Sequence, residues 1–146
     1  MSASNAFETS LLSHIFANAD IANIGDATGL RGSSTAGVLY VSLHTGDPGE
    51  GGAQNTTECG YTSYARVSVA RSGAGWTVSG ANCSNAAAVT FPTATGGSET
   101  ASHFGIGTAS SGAGVLLFSG ALNATLSISN GIAPSFAIGE LDINAD

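Results

Sequence analysis

The sequence predicts a mainly β protein: an antiparallel β-sandwich of seven or eight short strands, led by an N-terminal helix and arm. Three observations carry that expectation. From residue 38 onward the apolar residues alternate with polar ones, the period of a strand with one covered face. Turn-forming clusters recur between these runs: Gly46–Gly52, Ser72-Gly73, Thr95–Ser98, Ser110–Gly114 and Asn130-Gly131. No helical period intervenes among them, which argues against βαβ units and a parallel sheet.

The chain divides into residues 1–37, a helix with a connecting arm, and residues 38–146, the β-sandwich domain. Residues 6–17 form the helix: Phe7, Leu11 and Ile15 recur every fourth residue, and Leu12 with Phe16 widens the stripe. Asn5 followed by Glu8 resembles an N-terminal cap. So short a helix needs a surface to lie on. Residues 18–37 read as an irregular connector, broken by Gly25, Gly29, Gly32 and Gly37.

The expected strands are 38–44, 64–70, 75–79, 88–91, 103–108, 115–119, 124–128 and 136–143. The first is the clearest. Leu39, Val41 and Leu43 share a face, and Thr45-Gly46-Asp47-Pro48-Gly49-Glu50 follows at once. Pro48 presets φ for the first central position of a turn and Gly49 supplies positive φ at the second, a type II signature.

Composition bounds the partners. Leu, Ile, Val and Phe together number 31 of 146 residues, a thin supply for a core. Low charge, 9% of residues, argues against a charge-swollen disordered chain. A β domain that shields its edges by assembling as a homo-oligomer fits both facts. Lysine is absent, Arg31, Arg66 and Arg71 are the only strong cations, and the net charge is −7. Direct nucleic-acid binding is not expected, because phosphate affinity rests on several Lys or Arg contacts. No membrane span is expected either, since no window approaches the roughly 20 apolar residues required. Met1–Asn5 carries no positive charge, so no secretion signal is read and synthesis in a cytoplasm is expected.

Catalytic, cofactor and metal sites are all expected to be absent. Asp47, Glu50 and Glu58 cluster in one loop but lack the alternating ligand spacing of a calcium loop, and read as a solvated acidic loop. His14, His44 and His103 are scattered, with neither a Gly-x-Ser-x-Gly elbow nor metal-ligand spacing, so His44 and His103 read as structural or surface residues. Cys59 and Cys83 read as two buried free thiols, a disulfide being the other option. Trp76, Tyr40, Tyr61 and Tyr64 suggest a sugar platform, although a core role for Trp76 is the plainer reading. Arg66 and Arg71 read as partners for the acidic loop of the same or a neighbouring subunit. The acceptor-like tripeptides at Asn55, Asn82 and Asn123 read as chance in so Ser/Thr-rich a chain.

A resemblance sharpens this. Leu39–Gly49 is followed by Gly60-Tyr61, Tyr64-Ala65-Arg66, Ser84-Asn85-Ala86, Val89–Ala94, His103–Ile106 and an apolar stretch at Val115–Leu122. Those motifs, in that order over residues 38–143, resemble a family of small tailed-bacteriophage virion proteins. Its members are usually labelled tail fibre proteins, and relatives serve as capsid decoration (cement) proteins. The resemblance implies a non-enzymatic virion structural protein, made in the host cytoplasm, with other virion proteins (major capsid protein or tail proteins) as partners. A decoration protein that stabilises the assembled shell by binding it alone is the first expectation. The alternative is a tail-fibre, collar or adhesin subunit acting in host attachment. A glycan-cleaving enzyme, of a different class, would need two carboxylates about 5–9 Å apart, from Asp47 or Glu50 with Glu58 or Glu99.

Overall fold

The computed structural model describes residues 3–22, 24 and 32–145. The fold is mainly β and antiparallel, as expected for the β-sandwich class, with one N-terminal helix and nine strands among the described residues. In order these are α1 (Asn5–Ala17), β1 (Val38–His44), β2 (Val67–Ala70), β3 (Trp76–Ser79), β4 (Asn82–Asn85), β5 (Val89–Thr90), β6 (Ser98–Gly107), β7 (Leu116–Ser129), β8 (Ser135–Phe136) and β9 (Asp142–Asn144). One sheet has the order β2-β1-β6-β7, a second β3-β4-β9, and β5 pairs with β8. The chain folds into two compact units.

The helix unit comprises residues 1–38, 69–88 and 136–146. Helix α1 starts one residue earlier than Asn5 suggests. Ser4 is the cap, in extended backbone, and its Oγ accepts from the Phe7 N–H at 3.4 Å. Glu8, Leu12 and Phe16 are buried, while Phe7 stays exposed, so the buried stripe is rotated from the expected one. The surface the helix needed is β3 and β4. Phe16 meets the ring of Trp76 edge-on at 4.7 Å, and both are almost wholly buried. Each such side chain contributes about 1.5–3 kcal/mol by leaving water. The helix ends at Asn18, whose left-handed φ of 57° lets its N–H reach the Ser13 carbonyl. The Asn18 side chain then pairs with both backbone groups of Ser33, donating to the carbonyl and accepting from the N–H at 2.7 Å each. Gly32 must be glycine here, because a Cβ would sit 2.0 Å from the Asn18 carbonyl oxygen. Gly25, Gly29 and Arg31 lie outside the described residues.

Arg71 holds this unit together. Its guanidinium donates to the carbonyls of His14 (2.8 Å), Ile15 (2.7 Å) and Ala36 (3.1 Å). Two of those belong to the last turn of α1, the negative end of the helix dipole. Within the chain, Arg71 thus bonds to main-chain carbonyls rather than to the acidic loop.

The sequence reading omitted β4, because Asn82-Cys83-Ser84-Asn85 has no apolar alternation. The alternation is present in burial instead, with Cys83 and Asn85 inward. Buried Asn85 donates to the Ala87 and Ala137 carbonyls at 2.8 Å and accepts from the Leu141 N–H at 2.9 Å. An amide thus fills a core position because every group on it is satisfied. Residues 136–143, expected as one strand, are split by a turn over Ala137–Glu140 with Gly139 at φ 78°.

The sheet unit comprises residues 39–68 and 89–135. Strand β1 occupies 38–44 as expected, and Leu39, Val41 and Leu43 are buried. It pairs antiparallel with β6, Tyr40 opposite Gly107 and His44 opposite His103. The expected strands 115–119 and 124–128 are one strand, β7, paired antiparallel with β6. Its register slips where Ala101 faces Leu126 but His103 faces Ala121, so Leu122–Thr125 bulges out against a single residue, Ser102. The apparent gap between two strands is that bulge.

Candidate functional site

The chemistry-bearing residues of the sheet unit gather where β1 runs into the 45–66 loop. Gly49 takes the positive φ expected of it, 68°, and its N–H donates to Asp47 Oδ1 at 2.8 Å, while the hydrogen-bonded turn lies just beyond, with the Gly52 N–H donating to the Gly49 carbonyl at 3.1 Å. Asp47 and Glu50 are exposed there. Glu58 is not part of that surface. A bridge between His44 and Glu58 extends the β1 edge, with Cys59 N–H donating to Leu43 and Thr45 N–H to Thr57. This pairing draws Glu58 inward.

There Glu58 meets Arg66, as one of the two arginine readings anticipated. Arg66 Nε donates to Oε1 at 2.6 Å and its second guanidinium nitrogen to Oε2 at 2.7 Å, a bidentate pair with the arginine side chain 1% exposed. The guanidinium also donates to the carbonyls of Ala109 (2.8 Å) and Gly112 (2.6 Å), so one side chain ties three stretches of chain. Tyr64 completes the cluster: its hydroxyl donates to Glu58 Oε1 at 2.9 Å and accepts from the Leu43 N–H at 3.1 Å. Burial, with the adjacent Glu58, pushes the Tyr64 phenol far above its ordinary range, so it stays a donor. The hydrogen bonds that Glu58 accepts from Arg66 raise the guanidinium pKa and hold it charged.

Ser42 and His44 lie alongside, both fully buried. Nδ1 of His44 is 2.8 Å from the Thr56 carbonyl, which can only accept, so Nδ1 carries the proton. Nε2 then accepts from the Ser42 hydroxyl at 2.8 Å. A serine bonded to a histidine is the first half of a hydrolytic triad. Here the orienting group is a carbonyl rather than a carboxylate, and no substrate reaches a hydroxyl with no solvent exposure. Burial lowers the His44 pKa below 6.5, favouring this neutral arrangement. Gly105 on β6 closes over the pair. A Cβ there would stand 2.6 Å from His44 Nε2 and 2.7 Å from Ser42 Oγ. Gln54, also fully buried, donates to the Tyr40 carbonyl and accepts from the Ala109 N–H, both at 3.1 Å.

The aromatic platform is not assembled. Trp76 and Tyr61 are buried, 1% and 3% exposed, and Trp76 belongs to the core of the helix unit. In the sheet unit Tyr61 donates its hydroxyl to the Pro92 carbonyl at 2.9 Å and meets Tyr64 edge-on at 5.3 Å. Glu99 accepts from the Gly60 and Tyr61 N–H groups at 2.8 and 3.0 Å, so it is a main-chain clamp. Cys59 and Cys83 are free and buried, as read from the sequence, and burial pushes both thiols up to about 12. His103 is half-buried and bonded to Ser102, and His14 Nδ1 donates to the Ala19 carbonyl at 2.7 Å. Asn55 and Asn123 are exposed, and Asn82 bonds to Asp142 and Asn144. Among the described residues no cluster of three or more His, Cys, Asp or Glu is arranged to hold a metal, and no helix is long and apolar enough to cross a membrane. Sequence reasoning missed Ser42, Gln54 and Gly105, which carry no motif.

Arg66, Tyr64, His44, Gln54 and Glu99 thus each position main chain. The residues left facing solvent are small, neutral or acidic. The family model described as podophage GP4 fiber I protein gp80 matches residues 2–144, a stretch that includes residues of both units. No curated protein matches the chain. The chain belongs to this podophage fibre-protein family and is a phage virion structural protein.

Proposed function

We propose, from membership of that family, that the protein is a non-enzymatic subunit of the phage fibre apparatus that acts in host attachment. The observation that carries this is the extent of the family match, residues 2–144, which includes the loop cluster, the helix unit and the long β7. The fibre reading replaces shell decoration as the first choice. A fibre as a whole needs an attachment region, a shaft and a tip. A subunit that shares those tasks with other fibre proteins meets no such requirement.

The site geometry supports a passive role. Glu58 is neutralised by Arg66, His44 and Ser42 are sealed by β1 and β6, and Glu99 is committed to two main-chain N–H groups. None of them is left as a free acid, base or nucleophile. Particles lacking the protein are the test. They should adsorb to host cells more slowly while their shells keep full resistance to heat and salt. Normal adsorption combined with a heat-labile shell would establish decoration instead.

A further inference from the structure

Between β7 and β8 the chain carries Asn130-Gly131, and among its asparagines only this one precedes a glycine. In every other Asn-X pair the following residue has a side chain that crowds its own main-chain nitrogen. Asn130 and Gly131 are both exposed, and among the described residues no hydrogen bond holds the Asn130 side-chain amide. Gly131 stands in open space: a Cβ there would meet nothing within 4 Å, although its φ of 89° suits glycine alone.

Three main-chain bonds hold the pair in place. The Ile132 N–H donates to the Ser129 carbonyl at 2.9 Å and closes the turn. Ala94, 1% exposed, brackets it: its carbonyl accepts from the Gly131 N–H and its own N–H donates to the Ile132 carbonyl, both at 2.8 Å. The Gly131 nitrogen is the main-chain atom best placed to reach the Asn130 amide, and the Ala94 carbonyl holds its proton.

We propose that Asn130 is a self-modification site latched by Ala94. With the latch open, the Gly131 nitrogen gives its proton to hydroxide and bonds to the Asn130 side-chain carbonyl carbon. The bond from that carbon to the amide nitrogen breaks, and ammonia leaves with a proton taken from water, which restores the hydroxide. Water then adds to one carbonyl of the cyclic imide and opens it. The product is aspartate or, where the main chain is rerouted through the side chain, isoaspartate. Solvent water is the only co-reactant. With the latch closed the nitrogen keeps its proton on Ala94, so the step waits on local opening of the turn.

The product lies where charge is otherwise missing. From Thr100 to Gly139 there is no Asp, Glu, Lys or Arg, in a chain of net charge −7. Conversion puts a carboxylate into that stretch, close in sequence to Ile132, which is 45% exposed. Isoaspartate also lengthens the main chain inside the turn, so the bonds to Ser129 and Ala94 cannot all be kept. Nothing in this chemistry depends on where in the virion the protein sits.

The test is peptide mapping of the full chain by mass spectrometry after incubation at mildly alkaline pH, both folded and in urea. In urea, isoaspartate should form at residue 130 ahead of every other asparagine. Gly131→Ala should suppress it there, a comparison that needs no folding. The folded chain should convert about tenfold or more slowly, in step with hydrogen exchange at the Gly131 amide as sub-denaturing urea is added. Faster conversion at another asparagine in urea, or conversion unchanged by Gly131→Ala, overturns the site. A folded chain that converts as fast as the unfolded one overturns the latch. So does a folded chain whose Gly131 amide exchanges while Asn130 stays intact.

Discussion

The two compact units are each tied together by one arginine, and the two side chains do so differently. Arg66 in the sheet unit is buried and grips a carboxylate bidentately, with two carbonyls taking its remaining donors. Arg71 in the helix unit is half-buried and, among the described residues, bonds to three carbonyls and no acid. The difference shows what a charge costs once out of water. A guanidinium sealed among β1, the loop and 109–112 needs a counter-charge. One that keeps some solvent is satisfied by carbonyls at the negative end of a helix.

Removing each arginine should break the comparison unequally. Arg66→Met leaves Glu58 buried without its counter-ion and should cost about 3–5 kcal/mol, read as lost exchange protection in β1 and β6. Restoring neutrality with Arg66→Met/Glu58→Leu should recover part of that loss, and a double-mutant cycle measures how much. Arg71→Met strands only carbonyls that water partly reaches, and should cost about 1.5–3 kcal/mol. Trp76 is the sole tryptophan and sits in the helix unit, so its fluorescence reports that loss. A larger effect at Arg71 than at Arg66 would show that the counter-charge is not what separates them.

Proton binding sharpens the same contrast. His44 has its pKa lowered by burial, so the unfolded chain binds its proton more readily than the folded one. Stability contributed by neutral His44 is therefore full above about pH 6.5 and falls as the pH drops below that value. Urea midpoints between about pH 7 and pH 5 should show this slope, and His44→Gln should flatten it. The smallest expected effect is on the thiols. With pKa values pushed up to about 12, Cys59 and Cys83 are un-ionised at neutral pH and buried. Iodoacetamide should label neither until denaturant is added, and rapid labelling of the folded protein would contradict that.

What the sequence made legible follows from how local each signal is. Strand β1 was readable to the residue, since Leu39, Val41 and Leu43 alternate, and so was the positive φ of Gly49, although the hydrogen-bonded turn closes two residues further on, over Gly49–Gly52. The helix was readable too, apart from a one-residue shift of the cap and a rotation of its buried stripe onto Glu8, Leu12 and Phe16. Strand β4 was not, because its inward residues are Cys83 and Asn85, and only distant partners satisfy the amide. Strand β7 was split in two because a bulge breaks the alternation just as a turn does. In the loop, the nearness of Arg66 to acid was legible, but which acid was not. Glu58 is chosen over Asp47 and Glu50 by its bridge to β1, a pairing that no spacing announces. The Ser42–His44 bond was also hidden, since it depends on Gly105 leaving space from a neighbouring strand.

The central claim is that the chain is a fibre component whose polar loop is scaffold. Cryo-electron microscopy of intact virions carrying a labelled copy of the protein tests that claim most directly. Density for the label should appear on the fibres at the tail, and label distributed over the shell lattice would contradict it.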